Sequence, residues 1–253
     1  MITKDLIHDR INSFWGYGIL ESPVWLVGIE EKFDDKKLSI DMLEQQFNYA
    51  RKYMRNGMIN ADRSRIFEWK HLANMEPFLP SGAPQRTWRL PVALYLYFQK
   101  NIQPTEKDIL EFQRNILADG NVKEVATLEL SPLPAFSTND WFYDKYEIPE
   151  LKSRREYQKR YLPKRAEQLR GMVKKHKPKL IIFYSSNKNS HLPRWTEVSG
   201  RYLEIISDND RRLAMYFAKI QGTSFCVIPQ PTAGVSYNEL YEYADRVKDR
   251  IDL

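Results

Sequence analysis

Pro23-Val24-Trp25-Leu26-Val27-Gly28-Ile29-Glu30-Glu31 is an apolar run that meets a glycine and then delivers two carboxylates. Its composition predicts a strand over 24–30. In a parallel α/β sheet, ligands bind outside the carboxyl ends of the strands, so the acids at 30 and 31 are expected to face a crevice.

Working outward, helical and extended patterns alternate as in an α/β chain. A short amphipathic helix is expected over 5–14. A second helix runs from a cap at Ser39 to about Arg55, with Ile40, Leu43, Phe47, Ala50 and Met54 at helical spacing. The segment 57–86 reads as an irregular loop or lid, with Trp69, Phe78 and Ser81-Gly82-Ala83-Pro84. Thr87-Trp88-Arg89-Leu90-Pro91 opens an apolar helix to about Lys100, and Thr105 to Asp108 resembles a capping box for a helix over 105–117. A second strand is expected from Val122 to Leu130, followed by an aromatic loop from Phe136 to Tyr146 and a basic helical segment over 151–179. Lys179 to Tyr184 is apolar enough to be buried on both faces of a parallel sheet. Tyr202 to Ile206 and Thr223 to Ile228 supply two more strands, and Ser236 with Glu239 caps a final helix. His191, Arg194 and Trp195 fall in a polar loop after the third strand, which reads either as a contact to a phosphate or a wedge into the duplex, or as a plain surface connection. These patterns predict one domain, a three-layer α/β/α sandwich around a central, mostly parallel sheet.

Composition narrows the function classes. The single cysteine, Cys226, excludes an internal disulfide and reads as a small buried hydrophobe. The four histidines show no metal-ligand spacing, so neither a structural metal nor a cofactor is called for. No run of about 18 apolar residues is present, and Met1 to Asp5 lacks the order of a signal peptide, which predicts a cytoplasmic protein without membrane contact. Phosphate-cradling glycine patterns are absent, which disfavours nucleotide hydrolysis and dinucleotide redox chemistry.

Charge is concentrated. Between Leu151 and Lys179 stand twelve Lys or Arg against two acids; this +10 segment lies in a chain whose total is +6, leaving −4 elsewhere. Such a stripe suits a polyanion, because each cation that neutralises a phosphate releases a counterion. DNA is the expected partner, with Arg154, Arg155, Lys159, Arg160 and Arg194 as backbone contacts, and no protein partner is implied.

Three strand ends converge on one rim of the expected sheet: Gly28 to Glu31, Glu129 to Pro134, and Pro229 to Gly234. In this order they resemble the uracil-DNA glycosylase superfamily, whose members carry Gly-x-Asp-Pro or Gly-x-Asn-Pro after the first core strand and a His-Pro-Ser type loop after the last. Gly28-Ile29-Glu30-Glu31 is similar to the first motif and Gln230-Pro231-Thr232 to a diverged form of the second. The resemblance implies a uracil-DNA glycosylase-like sandwich with Glu30 at the water-activating position and a base-reading polar residue near Glu129 and Ser131. Glu31 stands where the family keeps proline and Gln230 where it keeps histidine, which points to a specialised or modified base. Some bacterial members act against phages with modified DNA.

The residues fit that chemistry on their own terms. Breaking an N-glycosidic bond passes through an oxocarbenium-like sugar, which a carboxylate such as Glu30 stabilises while it orients water. Gln230 and Thr232 supply neutral donors for the departing base. Phe33, Trp88, Phe136 and Trp141 are candidate stacking platforms for a flipped base, and Glu129 an acceptor for an exocyclic amine. Gly28, Ile29, Glu31 and Ser131 complete the expected substrate-binding set. Two competing readings are a metal-dependent nuclease using Glu30, Glu31, Asp34 and Glu129, and a catalytically silent nucleic-acid-binding domain.

Overall fold

Apolar strands flanked by amphipathic helices assemble into an α/β fold in the computed structural model, which describes residues 2–32, 40–59, 86–117, 123–135, 141–187, 189–207, 214–231 and 233–253. Among these residues the strands are β1 (Gly16–Tyr17), β2 (Val24–Lys32), β3 (Met54–Arg55), β4 (Met58–Ile59), β5 (Val125–Ala135), β6 (Leu180–Tyr184), β7 (Glu204–Ser207), β8 (Met215–Ile220) and β9 (Thr223–Ile228). The helices are α1 (Lys4–Ser13), α2 (Ile40–Tyr53), α3 (Arg86–Lys100), α4 (Glu106–Phe112), α5 (Arg154–His176), α6 (Leu192–Ser199) and α7 (Tyr237–Val247).

The nine described strands form one sheet in the order β3-β4-β1-β5-β2-β6-β9-β8-β7. Its centre, β5-β2-β6-β9, is parallel throughout, while antiparallel strands flank it: β1 against β5, and the β8–β9 hairpin with β7 outside it. Successive side chains on a strand point to opposite faces, and here both faces are covered. Val24 and Leu26 of β2, with Leu180 and Ile182 of β6, pack under α3, α4 and α7. Trp25 and Val27, with Ile181 and Phe183, pack under α5 and α6. Double burial is why these strands read as continuous apolar runs. Cys226 is buried under the α3/α4/α7 layer, where desolvation pushes its thiol up to about 12. A third cluster joins α1 and α2 to Leu133, Tyr143 and Tyr157.

Helix ends follow the sequence. Thr105 with Asp108 and Ser236 with Glu239 both close capping boxes. Helix α4 passes into a wider π-type turn over Gln113–Leu117, completing the segment expected at 105–117. Several elements depart from expectation: β1, β3 and β4 are short strands where none was expected, and β5 runs on to Ala135 instead of ending at Leu130. The segment 215–220, assigned no strand from sequence, is β8, turned back onto β9 by Gln221 and Gly222, both at positive φ. The polar loop expected after β6 instead holds helix α6, with Pro193 in its first turn. Most of the expected loop at 57–86 lies outside the described residues, as do Phe33, Asp34, Phe136 and Thr232. Among the described residues no helix is long and apolar enough to cross a membrane.

Candidate functional site

In the parallel centre, the first strand in the chain, β2, lies between the second, β5, and the third, β6. The connections leaving β2 (to β5) and β6 (to β9) therefore run in opposite directions, and the crevice of such a sheet opens between the carboxyl ends of β2 and β6. Glu30 stands at the end of β2, and Ser185 and Ser186 follow β6 directly.

Glu30 is four-fifths buried at its side chain and pairs through Oε1 with Arg154 Nη2. Burial raises its pKa above the ordinary glutamate value, and the Arg154 charge and hydrogen bond pull the other way without cancelling the effect. Arg154 is the first residue of α5, whose entry is fixed by Ser153 accepting from the Glu156 amide at 3.1 Å. The basic helix thus begins against the strand-end acid.

Arg154 also faces His191, which precedes α6. His191 Nδ1 is 2.6 Å from Ser185 Oγ, and the Ser185 carbonyl accepts from Trp195 Nε1 at 2.7 Å. Burial, aided by the Arg154 charge, pushes the imidazole down to about 4. It is therefore neutral at pH 7, and its Nε2 makes no hydrogen bond among the described residues. In the sequence His191 was one member of a polar loop; the Leu-Pro pair after it is the signal for the helix start that orients it.

The remaining candidates divide by environment. Glu31 accepts from Arg10 Nη2 at 2.7 Å, the Tyr17 hydroxyl at 2.6 Å and Gln46 Nε2 at 3.3 Å, tying β2 to α1, β1 and α2. Its carboxylate is engaged by the fold, away from Arg154. Gly28 lies beside Glu129 in the β2–β5 register, and a Cβ there would come within 2.5 Å of both Glu129 Oε2 and the Tyr184 hydroxyl. The glycine is needed because these two side chains cross over the strand. Tyr184 donates to Glu129 Oε1 at 3.3 Å, and Glu129 is 8% exposed, so its carboxylate lies beneath the crevice surface. Ser131 is buried against the Leu133 carbonyl and the Tyr157 hydroxyl. Ile29 packs on the α5/α6 side of the sheet, and Trp88 on the α3/α4/α7 side.

Trp141 is packed rather than presented: its ring lies against Tyr143 and Tyr157, and Nε1 donates to the Leu151 carbonyl at 2.6 Å. Gln230, after β9, is exposed, with its carbonyl accepting from the Ala233 amide at 2.8 Å. On α5, Arg155, Lys159 and Arg160 are exposed. Arg194, on α6, pairs with Glu197 one turn on. Arg165, counted in the basic stripe, is 2% exposed and faces inward. Its guanidinium donates to the Leu130, Phe14 and Glu129 carbonyls at 3.1, 2.7 and 3.1 Å and lies over the Trp15 ring. The stripe is thus an outer face with two residues turned inward, Arg154 toward Glu30 and Arg165 toward these carbonyls.

Among the described residues no three His, Cys, Asp or Glu side chains gather so as to hold a metal ion. Glu30 and Glu31 diverge to different arginines. No protein-family model matches the chain, and no match to it is found among curated proteins.

Proposed function

We propose that this chain is a monofunctional DNA glycosylase that hydrolyses the N-glycosidic bond of a flipped, modified base and leaves an abasic site. The observation that carries the reading is Glu30: a largely buried carboxylate of raised pKa, placed where the parallel sheet opens and held by the first residue of the basic helix. Its ionised form stabilises an oxocarbenium-like sugar and orients the attacking water, and Arg154 favours that form. On the opposite wall, a neutral His191 suits a departing base. With Ser185 donating to Nδ1, the imidazole proton sits on Nε2 and can be offered to an atom that gains negative charge. Gln230 and Thr232, from the loop after β9, are further donors in this reading. Glu129, fixed by Tyr184, reads an amino group if the flipped base displaces the tyrosine. The exposed cations of α5 supply the backbone contacts.

The sequence resemblance to uracil-DNA glycosylases supports the same reading, and its departures at Glu31 and Gln230 favour a base other than uracil. Modified phage DNA is the proposed substrate class, which would make the activity one of defence as well as repair. The test is incubation with duplexes carrying modified bases, including hydroxymethylated and glucosylated cytosine, in EDTA, followed by alkali. Abasic sites on at least one substrate, with no strand break before alkali, are expected. Breaks that require a divalent cation would instead indicate a nuclease. Binding without any chemistry across the panel would indicate a silent binding domain.

A further inference from the structure

Other arginines that enter the fold each reach at least one acceptor, although Arg10 and Arg165 both leave a buried Nη1 without one. Arg10 reaches Glu31 and the Pro132 carbonyl, Arg154 reaches Glu30, and Arg165 reaches three carbonyls. Arg89, in the first turns of α3, differs. It is half-buried, its Nε is shielded from solvent, and its guanidinium makes no hydrogen bond or ion pair among the described residues. Its one contact of note is the ring of Tyr237, whose centroid lies 5.4 Å from Cζ. The Tyr237 hydroxyl is likewise buried and without a hydrogen-bond partner. A half-buried guanidinium without an acceptor carries a desolvation cost that a bound anion would offset.

The place of the pair gives it meaning. Tyr237 is the first residue of α7, directly after the loop that leaves the carboxyl end of β9. That end lies two strands from β2 in the sheet, a lateral distance of ~10 Å at ~4.8 Å per strand. Arg89 therefore stands on the same rim as Glu30 but across the crevice from α5.

We propose that Arg89 and Tyr237 form a phosphate subsite for the DNA strand whose flipped nucleotide enters at Glu30, a role that rests on the DNA reading above. A guanidinium presents a planar fork matched to two phosphate oxygens, and stacking on tyrosine fixes the plane of that fork without consuming its donors. With α5 on one wall and Arg89 on the other, the strand is held on both sides of the reacting nucleotide.

The experiment measures binding of a fluorescein-labelled duplex by anisotropy across a range of salt concentrations, for wild type, Arg89→Gln and Arg89→Lys. Loss of one phosphate contact lowers the slope of log affinity against log salt by about 0.9. Arg89→Gln is expected to show that loss. Arg89→Lys is expected to keep the slope while binding several-fold more weakly, because the charge remains and the fork is gone; it also serves if the glutamine variant folds poorly. Wild-type slopes and affinities in both variants would overturn the subsite and leave the glycosylase reading standing. Failure of the wild type to bind any duplex would overturn the DNA reading and the subsite with it.

Discussion

Glu30 is held between opposed influences, and in the proposed reaction their balance sets the pH at which it acts. Burial disfavours its charge more than Arg154 favours it, so the carboxyl keeps its proton to a higher pH than an ordinary glutamate. A water-orienting carboxylate must be ionised, so kcat/KM should fall as pH falls through this raised pKa, with the acid limb above the usual glutamate value. Replacing Arg154 by Gln removes the one lowering influence, and the limb should move to still higher pH. A pH–rate profile of the two proteins checks this; a limb that stays put would mean that Arg154 does not govern Glu30. The sequence motif singled out Glu30 from its neighbour, but the work of Glu31 was not legible there. Its partners Arg10, Tyr17 and Gln46 are brought to it by three separate elements, and only the assembled sheet shows the carboxylate to be a tie between them.

Among the elements, α5 joins structure to function most directly. Leu162, Ala166, Leu169 and Val173 repeat at helical spacing and pack on the sheet, and Arg165 falls on that same apolar side. Its position among these residues was a legible sign that it faces inward, although a plain count of cations hid it. Burial draws its pKa down to about 9, and three backbone carbonyls depend on it. Arg165→Ala should therefore destabilise the fold by about 3–5 kcal/mol, as removal of a buried, hydrogen-bonded charge does. Urea unfolding measures it, and a loss below about 1 kcal/mol would mean that water replaces the guanidinium at little cost. The β8–β9 hairpin carried a signal as well. Two apolar runs separated by Gln221-Gly222 have the spacing of a two-residue turn, but Met215 to Ile220 shows poor alternation because much of it is buried on both faces.

At the scale of the whole molecule, the parallel centre was legible because doubly buried strands must be continuously apolar, whereas the expected strand end from Glu129 to Pro134 lies inside β5 and is buried throughout. What the sequence could not order was the sheet itself. Strand order depends on crossovers between distant segments, and it is this order that puts β6 beside β2 and brings Ser185 and His191 opposite Glu30. The same assembly turns the exposed cations of α5 outward near the rim. Replacing Arg155, Lys159 and Arg160 together by Glu should weaken duplex binding by at least about 100-fold at low salt and flatten its salt dependence. Unchanged affinity would place the DNA elsewhere. The most direct test of the account is base release by wild type and Glu30→Gln on a modified duplex in EDTA. Abasic-site formation by the wild type, slowed about 10²–10⁴-fold in the variant at equal DNA affinity, is the predicted result. Equal rates for the two proteins, or no base release by the wild type on any modified duplex, would contradict it.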